Sequence, residues 1–400
     1  MKETFFQKLQ RVKIGDIGHI FLFLLALPIS LVYRLFRKDL WLVCDNKNEA
    51  RDNGYWFYKY VRKKYPEQDI VYAINRKSKD FARVKDLGKT VNYGSLNHWI
   101  LYLTASKNIS SQKGGKPNAA VCYFLEVKKI LKNTRIFLQH GIIKDDMPWL
   151  YYEETMMKMF VCSTYREWKF VSETYHYPKG YVKELGLCRF DGLHDFEVKP
   201  KQILLMPTWR SWIATPTSAS YEIEDVSKFE NTEYFRAWSA FLQSERLHEI
   251  LQKNHLQMIF YPHRDMPVFL DRFDIKSDRI ITAKFPEYDV QTLLKESAYL
   301  ITDFSSIAMD FAYMKKRLMY YQFDYEDFRK GQYGEGYFSY ENDGFGKVCY
   351  TLETALNEIE KAVEKNFANE DVYIKRHDEF FDLYDTNNCE RNYRAVKELR

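Results

Sequence analysis

No two cysteines in this 400-residue chain have CxxC spacing; the six stand singly at 44, 122, 162, 188, 349 and 389. Zinc-ribbon and thioredoxin-type chemistry are therefore excluded, and scattered single cysteines in a large domain read as reduced, cytosolic thiols. The chain has no GxGxxG and no GxxxxGKS/T, which removes support for Rossmann dinucleotide and P-loop readings. HxH and HExxH are absent too, so no metal and no cofactor are expected. No internal repeat is visible. Charge of one sign is also lacking. Sixty Lys and Arg stand against 55 Asp and Glu, leaving a net charge of +5. That is too mild for a nucleic-acid binder. It suits partners that are anionic only locally, such as phosphate esters or an acidic membrane face.

Aromatics, by contrast, are abundant: 31 Tyr, 29 Phe and 8 Trp in a composition that is 46% hydrophobic and 29% charged. This is a globular composition with enough length for two cores. The only long apolar run, residues 20–33 (IFLFLLALPISLVY), has fourteen residues and contains Pro28. A spanning helix needs about 20 residues. Lys2, Lys8, Arg11 and Lys13 precede the run and Arg34, Arg37 and Lys38 follow it. Such basic flanks suit a monotopic anchor on the cytoplasmic leaflet, and residues 1–39 are expected to be membrane-associating.

Beyond the run, short β-type stretches alternate with helical ones. Strands are expected at 40–44, 70–74, 107–111, 135–138, 203–206, 258–261, 279–282, 299–302 and 318–321, with helices at 49–64, 233–254, 289–297 and 306–316. Most of the strands are continuously apolar, as in parallel sheets covered on both faces. The expected class is therefore α/β, doubly wound. Polar residues 192–201 separate an N-terminal α/β domain (40–195) from a C-terminal one (196–350), with charged helices over 351–400. Residues 211–232 read as a long loop or lid.

The chemistry-bearing residues follow the strands. RIFL runs into Gln139-His140-Gly141, ILLM into Pro207-Thr208-Trp209-Arg210, MIFY into Pro262-His263-Arg264, and YLIT into Asp303-Phe304-Ser305-Ser306. Open α/β sheets bind ligands outside these strand ends. Histidine titrates near neutrality and suits proton transfer, which makes His140 and His263 the candidate catalytic pair. Arg189 and Arg210 are the candidate phosphate clamps, through the bidentate guanidinium fork. Ser305 or Ser306 can cap a following helix, whose free N–H groups accept anions.

At these residues the sequence resembles the CDP-glycerol glycerophosphotransferase family of teichoic acid and capsule synthesis. The resemblance runs from about Trp41 to Phe328. It rests on Ala50-Arg51-Asp52-Asn53-Gly54, His140-Gly141, the GxxRxD turn at Gly186, Arg189 and Asp191, Pro207 to Arg210, His263, and TDxSSxxxDF from Thr302 to Phe311. It implies a GT-B-like architecture, two Rossmann-like domains facing across a cleft. It implies that His140 and His263 are catalytic. Donor contacts would come from Gly141, Ile142, Ile143 and Lys144, from Arg189, and from Thr208, Trp209 and Arg210. Others would come from Tyr261 and Pro262, and from Asp303, Ser305, Ser306 and Asp310. The implied reaction moves glycerol phosphate or ribitol phosphate from CDP-glycerol or CDP-ribitol to a hydroxyl of a lipid-linked or polymer acceptor, releasing CMP, on the cytoplasmic side of the cell membrane. The alternative is a GT-B glycosyltransferase using a nucleotide-sugar. Two departures stand out: Ile142 and Ile143 replace a common Thr-Pro, and Tyr261 and Arg264 replace a basic residue and a proline around His263.

Overall fold

A computed structural model describes residues 14–131, 133–213, 226–262, 270, 272–284 and 287–399. His263, Arg264 and the middle of the expected lid lie outside the described residues. The chain divides into two compact units. The described parts of Met1–Ile142, Pro148–Asp191 and Asp385–Arg400 form the first; Ile143–Met147 and Gly192–Tyr384 form the second.

The first unit is built on seven parallel strands: β1 (Trp41–Val43), β2 (Ile70–Ile74), β3 (Thr90–Asn92), β4 (Lys107–Ser110), β5 (Arg135–Phe137), β6 (Met159–Cys162) and β7 (Val182–Glu184). Their order is β3-β2-β1-β4-β5-β6-β7. Alternate residues of β1 and β2 feed different cores. Trp41, Val43, Ile70 and Tyr72 pack with Phe57 and Val61 of helix Asn53–Lys64 and with Val396 of helix Asn388–Glu398. Leu42, Val71 and Ala73 pack on the other face with Trp99 and Leu103 of helix Leu96–Thr104. Burial on both faces is why these strands read as unbroken apolar runs.

Helix Ile14–Phe36 continues through Pro28. It lays a narrow stripe, Phe23, Ala26 and Ser30, onto the first unit, with Phe23 and Ala26 joining the core that holds Trp99. Trp99 Nε1 donates to His19 Nδ1 at 3.1 Å and Arg34 Nε donates to the Leu103 carbonyl at 2.9 Å. The rest of its apolar surface is open: Phe21, Leu25, Leu31 and Leu35 are each more than half exposed.

The second unit repeats the plan with β8 (Lys199–Leu205), β9 (Gln257–Phe260), β10 (Ile280–Thr282), β11 (Ser297–Thr302), β12 (Leu318–Tyr321) and β13 (Gly346–Cys349), in the order β10-β9-β8-β11-β12-β13. All its pairings are parallel. Trp238, Phe241 and Tyr321 anchor its core. The expected helix 233–254 is two helices, Glu233–Leu242 and Glu245–Lys253, because Ser244 turns out of the first and caps the second with a Leu247 N–H bond of 3.3 Å.

The C-terminal helix Asn388–Glu398 packs in the first unit rather than in a separate C-terminal block. The GxxRxD turn explains how. Gly186 has φ +79 and a side chain there would overlap Asn388. Asp191 accepts from the backbone of Asn388 (2.9 Å) and Cys389 (2.8 Å) and from the Asn388 amide (2.7 Å). Asp191→Ala strands three donors, and a thermal or urea melt should show a loss of about 1–3 kcal/mol.

Candidate active site

In the first unit the strand order reverses between β1 and β4, and ligands of such sheets bind at that switch point, outside the strand C-termini. β1 leads into Asp45, β4 into Ser111 and Gln112, and β5 into Gln139 and His140. Asp45 is buried and organises the crevice. It accepts from the Gly54 and Tyr55 amides (2.8 and 2.9 Å), Tyr72 OH (2.8 Å) and Ser111 Oγ (2.6 Å). Burial, then the neighbouring Asp52, push the Asp45 carboxyl up to about 7 against the pull of its donors. Gly54 has no tolerance for a Cβ, which would meet that carboxylate.

Asp52 caps helix Asn53–Lys64, accepting from the Asn53 amide at 2.8 Å. Its other oxygen, Oδ2, lies 2.5 Å from His140 Nδ1. Burial alone would raise the Asp52 carboxyl. His140, Arg189 and the Asn53 amide outweigh it, and the group is held below the usual carboxylate value. A proton must lie between atoms this close, and a depressed Asp52 leaves it on the ring. His140 therefore donates through Nδ1, and its basic nitrogen is Nε2. Gln112 Nε2 donates to the same oxygen, Asp52 Oδ2, at 3.2 Å. Arg189 Nη1 donates to Asp52 Oδ1 (3.1 Å) and to the His140 carbonyl (2.6 Å).

The turn before His140 is set by strain. Gln139 adopts φ +67 while almost fully buried. Its amide donates to Glu167 Oε1 at 2.7 Å, and its carbonyl accepts from Asn53 Nδ2 at 2.7 Å. Asn53 Oδ1 in turn accepts the Arg189 amide at 2.9 Å. A left-handed non-glycine conformation persists only where the surroundings over-determine it. Here they deliver the His140 ring, 67% exposed, onto Asp52.

The second unit places the other expected donor contacts. Arg210, expected as a phosphate clamp, has a fully buried guanidinium taken up by carboxylates. It donates to both oxygens of Asp324 (2.7 and 2.9 Å), lies 3.0 Å from Asp303 Oδ2, and donates to the Thr208 carbonyl (2.7 Å). The rings of Tyr234, Phe304 and Phe328 lie 5.1 Å from it. Asp303 also accepts the Thr208 and Phe304 amides (2.8 and 2.6 Å). Pro207 to Arg210 and Asp303 thus fasten β8 to β11, the switch point of the second sheet. Trp209 packs partly buried on the adjoining core.

Lys144 is also internal, donating to Asp145 Oδ2 and the Phe304 carbonyl, both at 2.9 Å. Ile142, Ile143, Tyr261 and Pro262 are buried, and Gly141 is half-buried. Ser305 Oγ accepts the Ile307 amide at 3.3 Å, at the start of the short helix Ile307–Tyr313 that carries buried Asp310. Ser306 occupies the cap position without a side-chain cap bond.

Asp52, Gln112 and Asp45 were not among the expected site residues. Gln112 follows an expected strand, so the strand-end rule could have found it. Asp52 lies in the Ala50–Gly54 stretch quoted only for its resemblance.

The sequence profile of the family described as CDP-Glycerol:Poly(glycerophosphate) glycerophosphotransferase matches residues 25–398. The minor teichoic acid biosynthesis protein GgaB of Bacillus subtilis (strain 168) is 34% identical over 383 residues, covering 94% of this chain and 42% of that protein. The chain thus spans about two fifths of that relative's length. A solved structure of the wall teichoic acid polymerase TagF superposes with a TM-score of 0.64 at 15% identity, covering 99% of this chain and 98% of that one. A putative UDP-N-acetylglucosamine 2-epimerase from Listeria monocytogenes superposes at 0.55 and 12% identity, over 90% and 96% of the two chains. At these identities the structural likeness is one of fold: two parallel-sheet α/β units of GT-B-like type.

Proposed function

This chain belongs to the CDP-glycerol:poly(glycerophosphate) glycerophosphotransferase family, and from that membership we propose that it transfers an alditol phosphate from a CDP-alditol to an acceptor hydroxyl in teichoic acid or capsule polymer synthesis. The observation that carries this reading is the Asp52–His140 pair at the switch point of the first sheet. A carboxylate that fixes the tautomer of an exposed histidine is the arrangement of a general base.

In the proposed reaction His140 Nε2 takes the proton of the acceptor hydroxyl as its oxygen attacks the β-phosphorus. The bond from that phosphorus to the CMP oxygen breaks, and CMP leaves with the bond electrons. Asp52 stabilises the imidazolium that forms, and Arg189 keeps Asp52 charged. His263 is proposed to stabilise or protonate the pyrophosphate side, with Gly141, Ser305 and Ser306 among the donor contacts. Positioning and charge stabilisation carry most of the catalysis in phosphoryl transfer. Glycerol versus ribitol in the donor is decided by assay.

The N-terminal helix supports a place at the membrane. It is the one described helix long and apolar enough to cross a bilayer, and most of it is exposed. With one stripe docked on the first unit, it is proposed to lie in the cytoplasmic leaflet rather than span it.

Purified protein incubated with CDP-glycerol, CDP-ribitol or a UDP-sugar and lipid-linked acceptor should release CMP from a CDP-alditol and form a phosphodiester. Turnover of the UDP-sugar alone would replace this reading with glycosyl transfer.

A further inference from the structure

Beside the last turns of helix Ile14–Phe36 the first unit has a cavity of about 440 Å³. Tyr33 and Arg37 line it from the helix and the turn after it. Arg76 and Lys89 line it from the segments flanking β2 and β3, and Asn97 and Ile100 from helix Leu96–Thr104. The lining thus mixes apolar side chains, Val71, Ile100 and Leu101, with three cations.

The charges there are unbalanced. Arg37 is held bidentate by Asp69 (2.7 and 2.5 Å), and the same carboxylate lies 3.5 Å from Lys89 Nζ. The Arg76 side chain has no partner among the described residues, and only its backbone is tied, to Asn92 Oδ1 at 3.0 Å. Asp69 therefore answers two cations, Arg37 and Lys89, and Arg76 stands past the other end of β2 with no carboxylate beside it among the described residues. The apolar part of the lining is continuous with the open face of the helix. Leu31, Val32, Leu35 and Phe36 are 54–81% exposed, and Tyr33, which lines the cavity, lies among them.

We propose that this cavity is a headgroup site for an anionic phospholipid, drawn by the positive charge of Arg76, Lys89 and Arg37 along its lining, while its acyl chains lie against the exposed apolar residues of the helix. The proposal rests on the monotopic reading of that helix. Immersing Leu31, Leu35 and Phe36 by the usual 5–10 Å sets the neighbouring polar rim at headgroup depth. A tyrosine at the boundary and basic side chains beyond it match how interfaces are lined.

The test uses the full chain and vesicles of phosphatidylcholine, alone or with about one-third phosphatidylglycerol. Anionic lipid should strengthen wild-type binding. Arg76→Gln with Lys89→Gln should weaken binding to the mixed vesicles about thirtyfold, about fivefold for each cation. Binding to neutral vesicles and the melting temperature should be unchanged, because both side chains are exposed. Arg76→Gln alone should show its own fivefold share. Lys63→Gln with Lys64→Gln, an equal charge change at the end of helix Asn53–Lys64, should leave the preference intact. Equal losses in the two double variants would reduce the effect to diffuse charge and overturn the site. Full retention of the preference in the Arg76/Lys89 variant would overturn it too. So would saturable binding of soluble glycerol 1-phosphate that the Arg76/Lys89 variant abolishes, which would mark a free-phosphate site. Failure of the wild type on neutral vesicles overturns the helix reading separately, and the difference between the two vesicle types still decides the cavity.

Discussion

His140→Ala should lower kcat for CMP release by about 10²–10⁴-fold, the usual worth of a general base, while the protein melts as wild type does. The ring is 67% exposed and touches the fold mainly through Asp52 and Gln112. Arg189, Gln112 and the Asn53 amide still hold Asp52 after its removal, so the stability cost is small beside the loss of turnover. Asp52→Asn separates positioning from the base itself. Asparagine can still cap helix Asn53–Lys64, but it cannot hold the Nδ1 proton by charge. In serine proteases the equivalent change costs about 10⁴-fold, which sets the upper end here. The double variant should be no slower than the worse single one, since both act on one transition state. His263→Ala is expected to lose turnover in the same way. An active, well-folded His140→Ala would remove the base from the proposed reaction and leave the family assignment standing.

Arg210→Met should act on stability instead. Removing one partner of a buried ion cluster leaves its carboxylates uncompensated and costs about 3–5 kcal/mol. For a unit of this size that is a fall in melting temperature of about 6–20 °C. The deficit should depend on pH with a definite sign. Burial already holds Asp303 above its ordinary value, with Arg210 pulling it back. Without Arg210 the carboxyl rises further, so the folded state of the variant binds a proton more readily than the unfolded chain. The variant's stability is then retained at low pH and is lost as pH rises above the unfolded value near 4 and through the raised folded one. Donor affinity per folded molecule should not change. Normal melting with weakened donor binding would return Arg210 to the phosphate-clamp role expected from its motif.

The contrast between these two residues shows what the sequence could reveal. All nine expected strands are present, most of them apolar runs covered on both faces; Lys107–Ser110 (KNIS) and the edge strand Ile280–Thr282 are the exceptions. The strands not anticipated, Thr90–Asn92, Met159–Cys162, Val182–Glu184 and Gly346–Cys349, are three or four residues long. Three of them are sheet edges, where Asn92, Lys183 and Lys347 break the apolar pattern. At the site, His140 and Arg210 carry the same signal, a polar residue just past a strand. Only the fold distinguishes them. His140 is two-thirds exposed with its ring on Asp52, whereas Arg210 is buried against two carboxylates and four aromatic rings. Asp52 was hidden because its partner lies 88 residues away. No local spacing encodes a pairing that arises because β4 lies beside β1 and β5 beside β4.

The helix that Asp191 clasps has a consequence for synthesis. Asn388 is translated 197 residues after Asp191. At about 5–20 residues per second, the ribosome takes roughly 10–40 s to cover that distance. Throughout that interval the first sheet can pair, but one of its cores is unroofed. Trp41 lacks Tyr393, whose ring packs 5.5 Å from it, and Tyr65 lacks the same ring stacked at 3.7 Å. The second unit emerges whole in the meantime, so of the two units the one begun first is completed second. A nascent chain stalled before residue 388 presents aromatic surface to chaperones and proteases, and synthesis of helix Asn388–Glu398 closes it.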